Sequence, residues 1–205
     1  MMQSSWLKRS LPIAAIFAFR MLGLFMLIPI FSIYGQNLHG ATPILIGIAI
    51  GAYGFSQGIM QMPFGILSDY YGRKPMIMIG LLLFASGSIL GASTDSIYGM
   101  IFARIIQGMG AVGSVLIALI ADNIEDTDRP KAMAIIGMSI GVSFALAMII
   151  SPLIAEHFGL TGIFGLTTIL ALSGLILLNF IPTSKQEKPS KFELKMLKEA
   201  FLPKE

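Results

Sequence analysis

Gly65-Ile66-Leu67-Ser68-Asp69-Tyr70-Tyr71-Gly72-Arg73-Lys74-Pro75 is a short charged hinge between two long apolar runs. So tight a turn, made through Gly72 and Pro75, leaves its flanking segments antiparallel and in contact. Those segments are 43–67 and 75–92, each long enough to cross a bilayer as helix. Working outward, four more apolar windows appear, at 11–33, 97–121, 130–154 and 160–181. Composition agrees. The 205 residues are 55% hydrophobic and 12% charged, with mean hydropathy +0.81, whereas an average soluble domain is about 25% charged. The expected fold is an all-α membrane protein of six transmembrane helices. Residues 1–10 form a short N-terminus, 11–181 the bundle and 182–205 a polar tail.

Helix-start chemistry marks the boundaries. Thr42 precedes Pro43, and Asp128-Arg129 precede Pro130. Ser96 and Thr161 read as caps without proline, and Pro75 opens the third helix. Twelve of the fourteen basic residues lie at one end of the six segments: Lys8, Arg9, Arg73, Lys74, Arg129, Lys131 and six lysines after the last helix. The three opposite loops have none. By the positive-inside rule both termini are cytoplasmic, as for a multi-pass protein of a cytoplasmic (inner) membrane. The first apolar run is too long for a signal-peptide core, contains Arg20 and lacks a small-x-small cleavage site, so a retained helix is expected. In the tail, Phe192, Met196 and Leu197 share one face beside lysines, which suits either a helix on the membrane surface or a solvated linker.

A repeat runs through the bundle. Ile66–Gly72 reads in step with Leu153–Gly159, and the same offset pairs Gly23 with Gly110 and Gly54 with Gly141. Two units of three helices follow. Three is odd, so the second unit is inverted relative to the first, an arrangement found in transporters.

The hinge resembles the helix 2–3 signature of the major facilitator superfamily, G-x-L-x-D-[RK]-x-G-R-[RK]. Gly65, Leu67, Asp69, Gly72, Arg73 and Lys74 match, and Tyr70 replaces a basic residue. Arg104-Ile-Ile-Gln107-Gly108-Met-Gly110-Ala111 is similar to the R-x-x-Q-G-x-G-A signature of proton-driven members. Gly137, Gly141, Ser151, Pro152 and Ala155 resemble the antiporter motif of helix 5, with Ser and Ala where glycines are usual. The Arg20–Met26 stretch is similar to YajR-type members of the drug:proton antiporter group. The family has twelve helices, so the resemblance implies an N-terminal six-helix half. It implies a latch built on Gly65, Asp69, Gly72, Arg73, Lys74 and Asp122. It also implies a cavity or coupling role for Arg20, Arg104, Gln107 and Gly108, and a gating interface on the fifth helix.

Read as residues, Arg20 and Arg104 lie about 14 Å and 10 Å inside their helices. Facing lipid, each would cost at least ~2.5–3.5 kcal/mol, so both should face protein or a wet cavity. No acid lies deep in a helix. Any proton carrier in this chain is therefore at the rim (Asp69, Asp122) or in an outer loop (His39, Glu156, His157). Asp69 and Asp122 sit at helix C-termini, where the dipole disfavours an anion, and Arg73 is the natural partner of Asp122. Glycines four apart at 47/51, 54/58, 87/91 and 137/141 give flat faces, for tight packing or for sliding. Gln57 and Gln61, one turn apart, suit contact between helices.

The sequence has no cysteine, two distant histidines and no catalytic constellation, so no metal, cofactor or enzymatic activity is expected. The expected function is secondary transport by alternating access, as proton-coupled efflux of a small organic molecule. The expected partners are the lipid bilayer, the substrate, protons and a second six-helix half, as a separate chain or a second copy; nucleic acid is not among them. The competing expectation is a non-transporting remnant or accessory subunit that associates with a partner half.

Overall fold

A computed structural model describes residues 5–181. The expectations for the first four residues and for the tail, 182–205, lie outside these. The helices are α1 (Ser5–Tyr34), α2 (Pro43–Tyr71), α3 (Arg73–Ser93), α4 (Ile97–Met109), α5 (Gly113–Asn123) and α6 (Arg129–Leu178). The fold is all-α, with no strand among the described residues. Several starts differ from the sequence reading. Helix α1 begins at Ser5 and takes in Lys8, Arg9 and Pro12, and α3 begins at Arg73, with Pro75 tolerated in its first turn. Thr42 does cap α2, its Oγ1 accepting the Leu45 N–H at 3.2 Å. Ser96 and Asp128 make no side-chain cap bond, Asp128 instead accepting from Lys131 Nζ at 2.8 Å. Thr161 lies inside α6.

The fourth apolar window is two helices rather than one. Backbone turns through Gly110–Val112 separate α4 from α5, with Ala111 N–H bonded to Met109 O (2.8 Å) and Val112 N–H to Gly110 O (2.9 Å). The two still form a single apolar span from Ile97 to Asn123. The last two windows are joined in the 50-residue α6, which reverses at Gly159 (φ 58°, ψ −151°). At about 1.5 Å per residue an unbroken helix of that length would run ~75 Å, over twice the hydrocarbon thickness. Contacts with α1 fix the two directions. In the first arm, Ile136 falls in one buried cluster with Ile13 and Ala155 in another with Phe31, and Ser143 reaches Ala18 between them. In the second arm the order reverses: Phe164 falls in the cluster of Met26 and Phe31, Thr167 reaches Gly23, and Leu178 falls in the cluster of Ile13. The arms are antiparallel, and the chain makes six crossings: α1, α2, α3, the α4–α5 pair and the two arms of α6.

Gly72 and Gly159, equivalent in the sequence repeat, both have positive φ (105° and 58°) and both sit where the chain reverses. At the end far from Arg73, the α1–α2 and α3–α4 loops are tied by His39 N–H to Asp95 O (2.8 Å) and Ile97 N–H to His39 O (3.1 Å).

Glycine contacts hold α4 against its neighbours. A Cβ on Gly87 would fall 2.5 Å from Gln107 N, one on Gly108 2.3 Å from Tyr53 O, and one on Gly110 2.3 Å from Gly80 O. These are backbone-to-backbone approaches that no other residue permits. Gly47, Gly51, Gly54, Gly58, Gly137 and Gly141 have nothing within 4 Å of that position. Of the glycine pairs singled out by spacing, only 87/91 lies in a packed seam. Gly87→Ala should therefore lower stability by about 1–3 kcal/mol through overpacking against backbone. Gly137→Ala should stay within about 0.5 kcal/mol. Thermal unfolding of the two variants in detergent checks the contrast.

Candidate functional site

Two polar clusters interrupt the apolar bundle. The first is the hinge. Asp69 occupies the last turn of α2 and Asp122 the last turn of α5, where the helix dipole disfavours an anion; Arg73 opens α3, where it disfavours a cation. The three misplacements offset one another. Arg73 pairs through Nη1 with Asp69 and through Nε with Asp122 Oδ2 at 2.8 Å. Nη1 also donates to Ser68 Oγ at 2.6 Å, and Ser68 donates to Gly65 O at 2.6 Å. The Arg73 side chain is 14% exposed, so its fork works partly screened from water. Gly72 allows the geometry: its φ of 105° belongs to glycine, and its N–H still reaches Ser68 O at 3.2 Å. Lys74 forms no ion pair among the described residues.

The second cluster is deep in the bundle. Arg104 donates through Nη1 to Gln107 Oε1, Gln107 Nε2 donates to Ser88 Oγ (2.8 Å), and Ser88 donates to Phe84 O (2.7 Å). The guanidinium lies over Tyr53, 4.5 Å from the ring centroid. Tyr53 meets Phe84 edge-on at 6.4 Å, and Arg20 lies 5.6 Å from the Phe84 centroid on the other side. The sequence thus folds into a ladder of cation, two rings and cation linking α1, α3, α2 and α4. Both arginines are 2% exposed. Gly108, beside this ladder, is the backbone contact to Tyr53.

A family model described as the Major Facilitator Superfamily matches residues 13–204. The chain belongs to the major facilitator superfamily. Within that superfamily it is YajR-like, 43% identical over 189 residues to the inner membrane transport protein YajR of Escherichia coli, covering 92% of this chain and 42% of that one. It is also 43% identical over 182 residues to an uncharacterized transporter of Buchnera aphidicola, covering 88% of this chain and 46% of that one. The chain spans less than half the length of these curated relatives. Its fold is similar to the POT family transporter PepTSo, at 16% identity with a TM-score of 0.77 over 96% of this chain and 43% of that structure. The architecture is half of a major facilitator fold.

The structure brings together Asp69, Arg73 and Asp122, with Gly72 making the turn and Gly65, inside α2, accepting from Ser68. It divides the fifth-helix set in this superfamily member: Ser151 and Ala155 face inward, whereas Gly137, Gly141 and Pro152 are exposed. Sequence reasoning passed over Ser68, Ser88 and Tyr53, which complete the two clusters. It also missed Ser143, whose Oγ reaches Ala18 O at 3.0 Å across to α1. The spacing of small residues at 143, 147, 151 and 155, one per turn, was the available signal. A double-mutant cycle on Arg73→Ala and Asp122→Ala, read by thermal unfolding, should give a coupling of about 1 kcal/mol. Additive single effects would contradict the pairing.

Proposed function

We propose that this chain is the N-terminal half of a secondary transporter that works by alternating access, moving a small organic molecule outward against protons. The observation that carries this reading is the contrast between seam and surface. Helices α2, α3 and α4 are locked through glycine backbone contacts, while α2 and the first arm of α6 present glycines with nothing against them. A stiff bundle with smooth faces suits a body that rocks as a unit against another. Between α2 and α4 an apolar groove of about 660 Å³, lined by Ile48, Phe55, Ile59, Ile105 and Met109, faces outward. It suits contact with a second six-helix half or passage of an apolar solute.

In this reading the Arg73 end is cytoplasmic, as are both termini. The Asp69–Arg73–Asp122 cluster latches the outward-facing state together with the second half. Arg104, held by Gln107 and Tyr53, sits on the coupling path, and the proton carrier is a rim acid or a group of the second half. Transport belongs to the YajR-like relatives as whole proteins; here it is inferred for the assembly that contains this chain.

Arg104→Ala in that assembly should abolish proton-coupled flux in proteoliposomes while leaving membrane insertion intact. Normal flux would remove Arg104 from the mechanism. Because this chain has no cysteine, reporter cysteines can be placed in it without removing any native one from this half. Asp69→Asn should shift their labelling toward the inward-facing state, and an unchanged ratio would dismiss the latch.

A further inference from the structure

Arg20 is buried at 2% exposure, and its Nε, Nη1 and Nη2 find no hydrogen-bond partner. Among the described residues no carboxylate lies within ion-pair distance of it. The seven described acids are all in loops or at helix ends. The ring of Phe84 shields one side of the guanidinium but supplies no hydrogen-bond acceptor. Two further kinds of donor lie near it. Around the open position where Gly113 lacks a Cβ, Gln61 Nε2 lies at 3.4 Å and Arg20 Nη1 at 3.9 Å. Gly113 is the first residue of α5, an 11-residue helix that starts with no side-chain cap. Its first-turn amides and the positive end of its dipole meet at the same place.

We propose that Arg20, Gln61 and the first turn of α5 bind one small monovalent anion, a halide or the carboxylate of an organic acid. Three kinds of donor converge there, and a guanidinium keeps its charge in a protein. A water molecule could accept from those donors but would leave the guanidinium charge unbalanced. An anion answers both needs. The break between α4 and α5 then has a chemical role: it brings a helix N-terminus to the middle of the bundle, where an unbroken helix would offer none. Glycine at 113 keeps the cradle open. The inference does not depend on transport, since every group it uses lies in this chain.

The test uses the full chain in nanodiscs of zwitterionic lipid, in sulfate-balanced buffer, with radiolabelled chloride and formate as separate probes. Saturable binding of one anion per chain is expected for wild type. Formate alone would identify a carboxylate site, and chloride alone or both together a halide-sized one. Arg20→Gln and Gly113→Ala should each weaken binding roughly tenfold or more. The added methyl of Gly113→Ala meets nothing closer than 3.4 Å, so this variant should keep its helical circular dichroism and melting temperature even if Arg20→Gln fails to fold. Absence of saturable binding in wild type, or wild-type binding by Gly113→Ala, would overturn the proposal and assign the cradle to water.

Discussion

Backbone-to-backbone contact at α4 is the constraint on which the rest of the bundle depends. In hydrocarbon the hydrophobic effect gives helices little reason to associate, and close packing has to supply it. Gly87, Gly108 and Gly110 bring α4 against α2 and α3 so closely that a methyl group at any of them would strike main-chain atoms. That closeness sets where the other side chains can go. It places Gln107 on Ser88, lays Arg104 over Tyr53 and brings Gly110 on to Gly80, at the place where α4 gives way to α5. The interior polar groups are thus positioned by the absence of side chains elsewhere.

Charge is distributed by a related logic. At one end of the bundle, three residues each badly placed for their own helix dipole neutralise one another around Arg73. In the interior, where no acid is present among the described residues, Arg104 is held by the Tyr53 face and by Gln107, itself bonded to Ser88, whereas Arg20 has the Phe84 face alone. The rim cluster is partly reached by water, Asp69 being half exposed and Arg73 mostly covered. The interior groups cannot be exposed to lipid without a large penalty, so they hold the helices in one arrangement.

The crossings were legible because hydropathy and length fix them physically: nothing but a helix satisfies its own backbone over such a span. The Arg73–Asp122 pair was legible for a similar reason, since an acid at a helix C-terminus demands a cation and few were within reach. The α4–α5 break was not. Its residues, Gly110-Ala111-Val112, are apolar and uncharged, and the turn depends on how closely α3 approaches, which is a tertiary fact. Tyr53 and Ser88 were invisible for the same reason, being ordinary residues until α4 meets them. What packs on the glycine face of α6 was likewise undecidable from spacing: Gly137 and Ser151, fourteen residues apart, lie on nearly one side of the helix, yet Gly137 is exposed and Ser151 buried.

The reversal at Gly159 has a consequence for how the chain enters its membrane. Two crossings meet with almost no loop between them, and the apex carries only Glu156 and His157 as titratable side chains. A hairpin tip with so little polar matter presents a low barrier to translocation. The two arms therefore form one apolar hairpin that can enter hydrocarbon as a unit, with the basic residues at 129 and 131 at its open end.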